Sequence, residues 1–289
     1  MIPTLNSVSA GGGLPLDEYL ALAARHDFSA VEFNLEQAHQ LGLERAADLF
    51  ESKGLLPAVC GLPVEWRKDE ATFQAGLQKL PELAKFAQDL DCARSCTWVL
   101  PTGGSSLPDY RSNSLRRFGK IAQILNENGV RFGLEFIGPH HFRTQPEQVW
   151  FYDIAGGLQV ADEVNSLARS QNVGLLVDCY HWHTAGNGTM DLASIPLEQV
   201  VHVHVNDAVA GVALEDLQDG VRELPGTTGV IDIVGFLSTL AALGYDGPVA
   251  PEVFSQKLKA MTPDEAATAA SRCLYGVLGA AGVKPLRLL

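Results

Sequence analysis

The sequence has no apolar run approaching the roughly 20 residues that cross a bilayer, so a membrane-spanning protein is not expected. Its opening residues, MIPTLNSVSAGGG, lack the basic start and apolar stretch of a secretory signal. Cysteine is scarce. The five residues Cys60, Cys92, Cys96, Cys179 and Cys273 are an odd number without the close double pairs of a zinc module. They read as reduced thiols in a cytoplasmic protein. Positive charge is short as well: 21 Lys and Arg stand against 34 Asp and Glu, a net charge of −13. A protein that grips phosphate backbones needs a basic footprint, and nothing larger than pairs such as Arg116-Arg117 is present. Nucleic acid and membrane are therefore excluded as partners. The glycine-rich SAGGGLP lacks the G-x-G-x-x-G spacing of a dinucleotide turn.

What is present is ordinary globular material, 46% hydrophobic and 19% charged over 289 residues. Short β-rich runs alternate with longer helical patterns. The runs are TLNSVSA (4–10), AVEFN (30–34), LPAVCGLP (56–63), SCTWVLP (95–101), RFGLEFIG (131–138), VGLLVDCY (173–180), VVHVHVND (200–207) and GPVAPEVF (247–254). Helical patterns follow each, for example over residues 41–53, 69–91, 110–128, 157–171 and 263–281, with a weak, short one near 191–195. Glycines 54, 129, 244 and 282 supply helix stops. Strict alternation implies parallel strands with helical crossovers. Eight units in this length predict an α/β protein of the (β/α)8 TIM-barrel class rather than an open sheet. No linker or compositional break appears, so residues 1–289 read as one domain.

Barrels of this class work at the C-terminal ends of their strands. Strand five delivers Glu135 there, strand six Asp178, strand seven His204 and strand eight Glu252. Side chains alternate along a strand, and each carboxylate falls on the face opposite the bulky apolar one. Phe132, Leu134 and Phe136 oppose Glu135, and Val173, Leu175 and Val177 oppose Asp178. In VVHVHVNDA, His202, His204 and Asn206 share one face, while Val201, Val203 and Val205 take the other. His202 is expected one layer deeper, bonded to a neighbour. Three buried carboxylates would repel one another and suffer desolvation; a divalent cation relieves both. Two Glu, one Asp and one His form an oxygen-rich set that favours Mn²⁺, with Mg²⁺, Co²⁺ and Zn²⁺ as alternatives.

The ordered series LEF, VDCYH, HVHVND, RELPGTTG and PEVF resembles the xylose-isomerase-like TIM barrels, the sugar (phosphate) isomerase/epimerase group. The resemblance covers nearly the whole chain. It implies that Glu135, Asp178, His204 and Glu252 bind the metal. It also implies that His181, three residues after Asp178, and Arg222, ahead of the PG turn, bind substrate. Relatives are often dimers or tetramers, which leaves a homo-oligomer open. The trinuclear nucleases of the group need extra histidines on early strands, and here only His26 and His39 precede residue 140. The insert GPHHF (138–142) followed by EQVWFYD departs from the pattern; with Trp66 and Trp98 it is a candidate pocket wall, while His140 and His141 also suit exposed loop positions.

The expected activity is metal-dependent isomerisation or epimerisation of a sugar, a ketose or related cyclic polyol-ketone, by proton transfer through an enediolate. Glu135 and Glu252 are the candidate proton carriers. Dehydration of the inosose type on the same metal is one alternative, and a catalytically retired sugar-binding barrel is another.

Overall fold

In a computed structural model that describes residues 1–286, eight parallel strands close into a barrel in chain order. They are β1 (Ile2–Leu5), β2 (Ala30–Phe33), β3 (Leu56–Gly61), β4 (Arg94–Val99), β5 (Arg131–Phe136), β6 (Val173–Asp178), β7 (Val200–Val205) and β8 (Pro248–Pro251). Helices between the strands cover the outside, so the expected (β/α)8 fold is present. The outward side chains Phe132, Leu134, Phe136, Val173, Leu175, Val177, Val203 and Val249 are buried in the main apolar core. Ala30, Ala58, Val59, Cys96, Leu176 and Val201 form a separate small cluster filling the barrel.

Several boundaries differ from the sequence reading because polar side chains end the strands. The first strand stops at Leu5: the Asn6 side chain accepts from Val8 N–H and starts a 3-10 helix, Ser7–Ala10. The Asn34 side chain likewise starts a helix, Leu35–Leu41, ahead of the expected one at Leu43–Lys53. The sixth strand ends at Asp178, whose carboxylate caps the helix Cys179–Thr184. That turn of helix, read as strand in part, is what swings His181 back toward the barrel mouth.

The face assigned to Val201 is corrected. Pairing of β6 with β7 jumps from Leu175↔Val200 to Leu176↔His202. The extra residue is a bulge, and Val201 turns inward beside Ala58 and Leu176. The β2–β3 ladder makes a matching jump, Val31↔Pro57 then Glu32↔Val59. Beyond β7, Asp207 fastens the loop that carries RELPGTTG. Its carboxylate accepts from the N–H groups of Ala208, Thr228, Gly229 and Ile231, and its backbone pairs with Glu223. Among the described residues no helix is long and apolar enough to cross a membrane, and all five cysteines are unpaired.

Close backbone approach explains Gly174. A Cβ there would lie 2.3 Å from the Gln199 carbonyl oxygen, a backbone atom that has little room to move. Gly174→Ala is expected to destabilise the barrel by about 1–3 kcal/mol, the usual range for overpacking. Urea unfolding, comparing midpoint at unchanged slope, checks this.

Candidate active site

The mouth of the barrel gathers the four carboxylate and imidazole groups anticipated at the strand ends. Glu135 rises from β5, Asp178 ends β6, His204 lies on β7, and Glu252 follows β8. Their nearest ligand-type atoms all lie within 4.8 Å of one another. His204 Nδ1 is 3.5 Å from Glu252 Oε2 and 3.7 Å from both Glu135 Oε1 and Asp178 Oδ2. Metal bonds of about 2.0–2.2 Å put atoms sharing an ion roughly 3–4 Å apart, so the spacing fits.

Two further observations favour a cation. Glu135 Oε1 and His204 Nδ1 are buried without a hydrogen-bond partner; both face the centre of the group. The charge count is also lopsided. Glu32, Glu135, Asp178, Asp219 and Glu252 lie in one contact network with a single guanidinium, Arg222. Burial, with Glu252 and Asp178 close by, pushes the Glu135 carboxyl up to about 8. Burial is the largest influence on Asp178 and opposes its ionisation, but Arg222, His181, His204 and the Tyr180 N–H together hold that group down at about 2. His204 is buried, yet Glu32 and Glu252 raise its pKa well above the ordinary value. Protons on Glu135 and His204 thus do the neutralising that a divalent ion does more completely. The donor set is mostly oxygen with one imidazole nitrogen, suited to a hard or borderline divalent cation.

The two substrate-binding candidates sit against this group. The Arg222 guanidinium is fully buried between the rings of Tyr180 and Phe254. Its Nη1 donates to Asp178 Oδ2 at 2.9 Å and Glu252 Oε2 at 3.0 Å, and its Nη2 to Asp219 Oδ1 at 2.7 Å. His181 Nδ1 accepts from Gly138 N–H at 3.3 Å, and its Nε2 lies 3.2 Å from Arg222 Nη2 and 3.7 Å from Glu135 Oε1. Burial lowers the His181 pKa, so the ring is neutral near pH 7.

Sequence reasoning missed Glu32. Its Oε1 accepts from Nε2 of both His202 (2.8 Å) and His204 (2.9 Å), while Asn6 Nδ2 donates to Oε2 at 3.1 Å. Burial opposes its charge, but His204 and His202 hold its carboxyl well below the usual range. The proton on His204 Nε2 is thereby fixed, and Nδ1 is left as the atom offered to the site. His202 does lie one layer deeper, bonded to Glu32 and to the Pro248 carbonyl. The missing signal was available: in AVEFN, Glu32 alternates with Val31 and Phe33 and so faces inward. Asn206 completes the inward row by donating to both Asp178 oxygens at 3.2 Å.

Trp98 is the register partner of Glu135 and stacks under the Arg67 guanidinium at 4.0 Å. Trp66 and Trp98 line one cavity of about 410 Å³ with Arg67 and Tyr110. Trp66 itself is buried, its indole N–H donating to Thr97. His140 is exposed and His141 half-buried.

The model of the xylose isomerase-like TIM barrel matches residues 20–276. The chain belongs to that family. Among xylose isomerase-like barrels it is 30% identical over 226 residues to the inosose isomerase of Halalkalibacterium halodurans, covering 78% of this chain and 76% of that protein. A xylose isomerase domain protein of Alicyclobacillus acidocaldarius superposes with a TM-score of 0.86 at 32% identity, covering 98% of this chain and 99% of the other. The IOLI protein, crystallised with a zinc atom, gives a TM-score of 0.80 at 21% identity over 96% of this chain and 98% of its own. More distant relatives include a ketose 3-epimerase of Arthrobacter globiformis and 3-dehydroshikimate dehydratases of two Pseudomonas species. The relatives are thus isomerases, epimerases and dehydratases.

Two outcomes follow from this geometry. Glu32→Gln should weaken divalent-metal binding by about 10–100-fold, as loss of an orienting carboxylate does, read by calorimetric titration. In the metal-free protein, Glu135 holds a proton between about pH 4.5 and 8 that the unfolded chain has released. Its contribution therefore makes stability fall as pH rises through that window. Saturating metal displaces the proton, so the gap in melting temperature between metal-loaded and metal-free protein should widen from pH 6 to pH 8.

Proposed function

We propose that the protein is a divalent-metal-dependent isomerase or epimerase acting on a small sugar or cyclic polyol-ketone. The observation that carries this reading is the pair of unpartnered, buried atoms Glu135 Oε1 and His204 Nδ1, 3.7 Å apart, with Glu252 Oε2 3.5 Å from the same Nδ1. Glu135, Asp178, His204 and Glu252 hold the ion, with Mn²⁺ the preferred occupant on the hardness of the donor set. When bound, the ion supplies a Lewis acid that polarises a carbonyl and acidifies the neighbouring C–H.

The chain's own residues do the rest. Glu135 and Glu252 enter from β5 and from the end of β8, three strand positions apart around the barrel. One takes the proton from carbon and the other returns a proton, to the same carbon for epimerisation or to its neighbour for isomerisation. Arg222 is charged and fixed between two rings; it anchors substrate oxygens and offsets the charge of the enediolate. His181, neutral and held between Gly138 N–H and Arg222 Nη2, sets its ring beside a substrate oxygen next to Glu135. Asp207 keeps the Arg222 loop against β7, so the anchor stays in place as substrate enters and leaves. Expulsion of a β-hydroxyl from the same enediolate is the dehydratase alternative, which the 3-dehydroshikimate dehydratases among the relatives make worth assaying.

Glu252→Gln should fold and lose substrate C–H exchange with D₂O by about 10²–10⁴-fold, the span of a general acid–base contribution. Full exchange would remove Glu252 from proton transfer. Dialysis against a chelator should stop turnover and Mn²⁺ should restore it; indifference to chelator contradicts the metal-dependent reading. Product analysis by NMR separates inverted stereochemistry from loss of water.

A further inference from the structure

The opposite end of the barrel holds a second polar feature, apart from the mouth. Arg94 opens β4 and Arg131 opens β5, and the two are direct register partners. Along the same two strands the next inward pairs are Cys96↔Gly133 and Trp98↔Glu135. Cys96 belongs to the cluster inside the barrel, and a Cβ on Gly133 would strike Cys96 Sγ and Val201. Alternation therefore places Arg94 and Arg131 on the inward face as well, at the floor. Both line a cavity of about 300 Å³ with Tyr245, Asp246, Glu198 and Gly247.

Two guanidiniums side by side repel each other, and in a chain of net charge −13 neutralising carboxylates are plentiful. Yet among the described residues neither arginine is in an ion pair. Arg131 Nη2 donates only to backbone carbonyls, those of Glu198 and of Val200 (3.0 Å). Among the described residues the Arg94 side chain makes no hydrogen bond, and its Nε is buried without a partner. A buried, unsatisfied donor on a charged group is costly, and the guanidinium fork matches an oxyanion in planar, two-point fashion.

We propose that this floor cavity is an anion-binding site in which Arg94 and Arg131 together hold a phosphate-class oxyanion. The ligand is a free phosphate or the phosphate of a small ester, since the cavity is larger than the ion alone. It bridges the two guanidiniums, satisfies Arg94 Nε, and joins the N-terminal ends of β4 and β5. Its binding is linked to stability, because it requires the folded barrel. It does not depend on the metal-site reading, since no residue is shared.

The test is calorimetric titration and thermal unfolding of the full chain, with inorganic phosphate in one arm and glycerol 3-phosphate in the other, at constant ionic strength. An acetate arm controls for general salt effects. Among the described residues the Arg94 guanidinium makes no hydrogen bond, so Arg94→Gln is expected to fold with an unchanged circular dichroism spectrum. The expected result is saturable binding of at least one phosphate probe with a rise in melting temperature. Arg94→Gln should weaken it at least tenfold and abolish the rise. The arm that binds tighter identifies the free ion or the ester. Absence of saturable binding by wild type, equal affinity in Arg94→Gln, or an equal response to acetate would each overturn the proposal.

Discussion

The structure depends on one electrostatic constraint: several carboxylates are buried around the His204 imidazole at the mouth of the barrel. Burial alone would leave Glu135, Asp178 and Glu252 repelling one another in a low-dielectric space. The fold answers with Arg222 on one side and Glu32 on the other. Arg222 shares its Nη1 between Asp178 and Glu252, and Glu32 sets His204 so that Nδ1 looks inward. What remains unmet is concentrated on two atoms, Glu135 Oε1 and His204 Nδ1. A site whose unmet polar atoms all face one point is prepared for a ligand of opposite charge. The neighbouring group of Glu32, His202 and His204 also has ligand-type atoms. There, however, the Glu32 oxygens are taken by three donors, so that group positions its neighbour rather than offering a second open centre.

The same constraint shapes the backbone. The inward histidines of β7 must reach both Glu32 across the barrel and the carboxylates at the mouth. The bulge at Val201 turns that valine into the barrel beneath them and shifts the pairing, so that His202 meets Leu176 and His204 meets Asp178. Asp178 serves twice, as a member of the charged group and as the cap of the short helix that carries His181. Asp207, just past the strand, spends its whole carboxylate on backbone N–H groups of the loop bearing Arg222. The side chains gathered at the mouth are therefore held by strands and by buried anchors.

Much of this was legible in the sequence. Alternation along each strand is a local property, so the inward placement of Glu135, Asp178, His204 and Glu252 could be read residue by residue. The order of the eight strand–helix units led to the closed barrel for the same reason. Two things were not legible. A bulge changes which residue faces inward without changing composition, so Val201 was placed on the wrong face. Partnership across the barrel joins residues 170 or more positions apart, as with Glu32 and its two histidines, and no spacing rule reveals it. Strand ends were misplaced where an Asn or Asp caps the next helix, because such residues also suit the last position of a strand.

The most direct test of the central claim is anomalous diffraction from crystals soaked in Mn²⁺, recorded on both sides of the manganese edge. The account predicts one strong peak bonded to Glu135, Asp178, His204 Nδ1 and Glu252. A peak elsewhere, or no peak while Arg222 keeps its hold on Asp178 and Glu252, would contradict it.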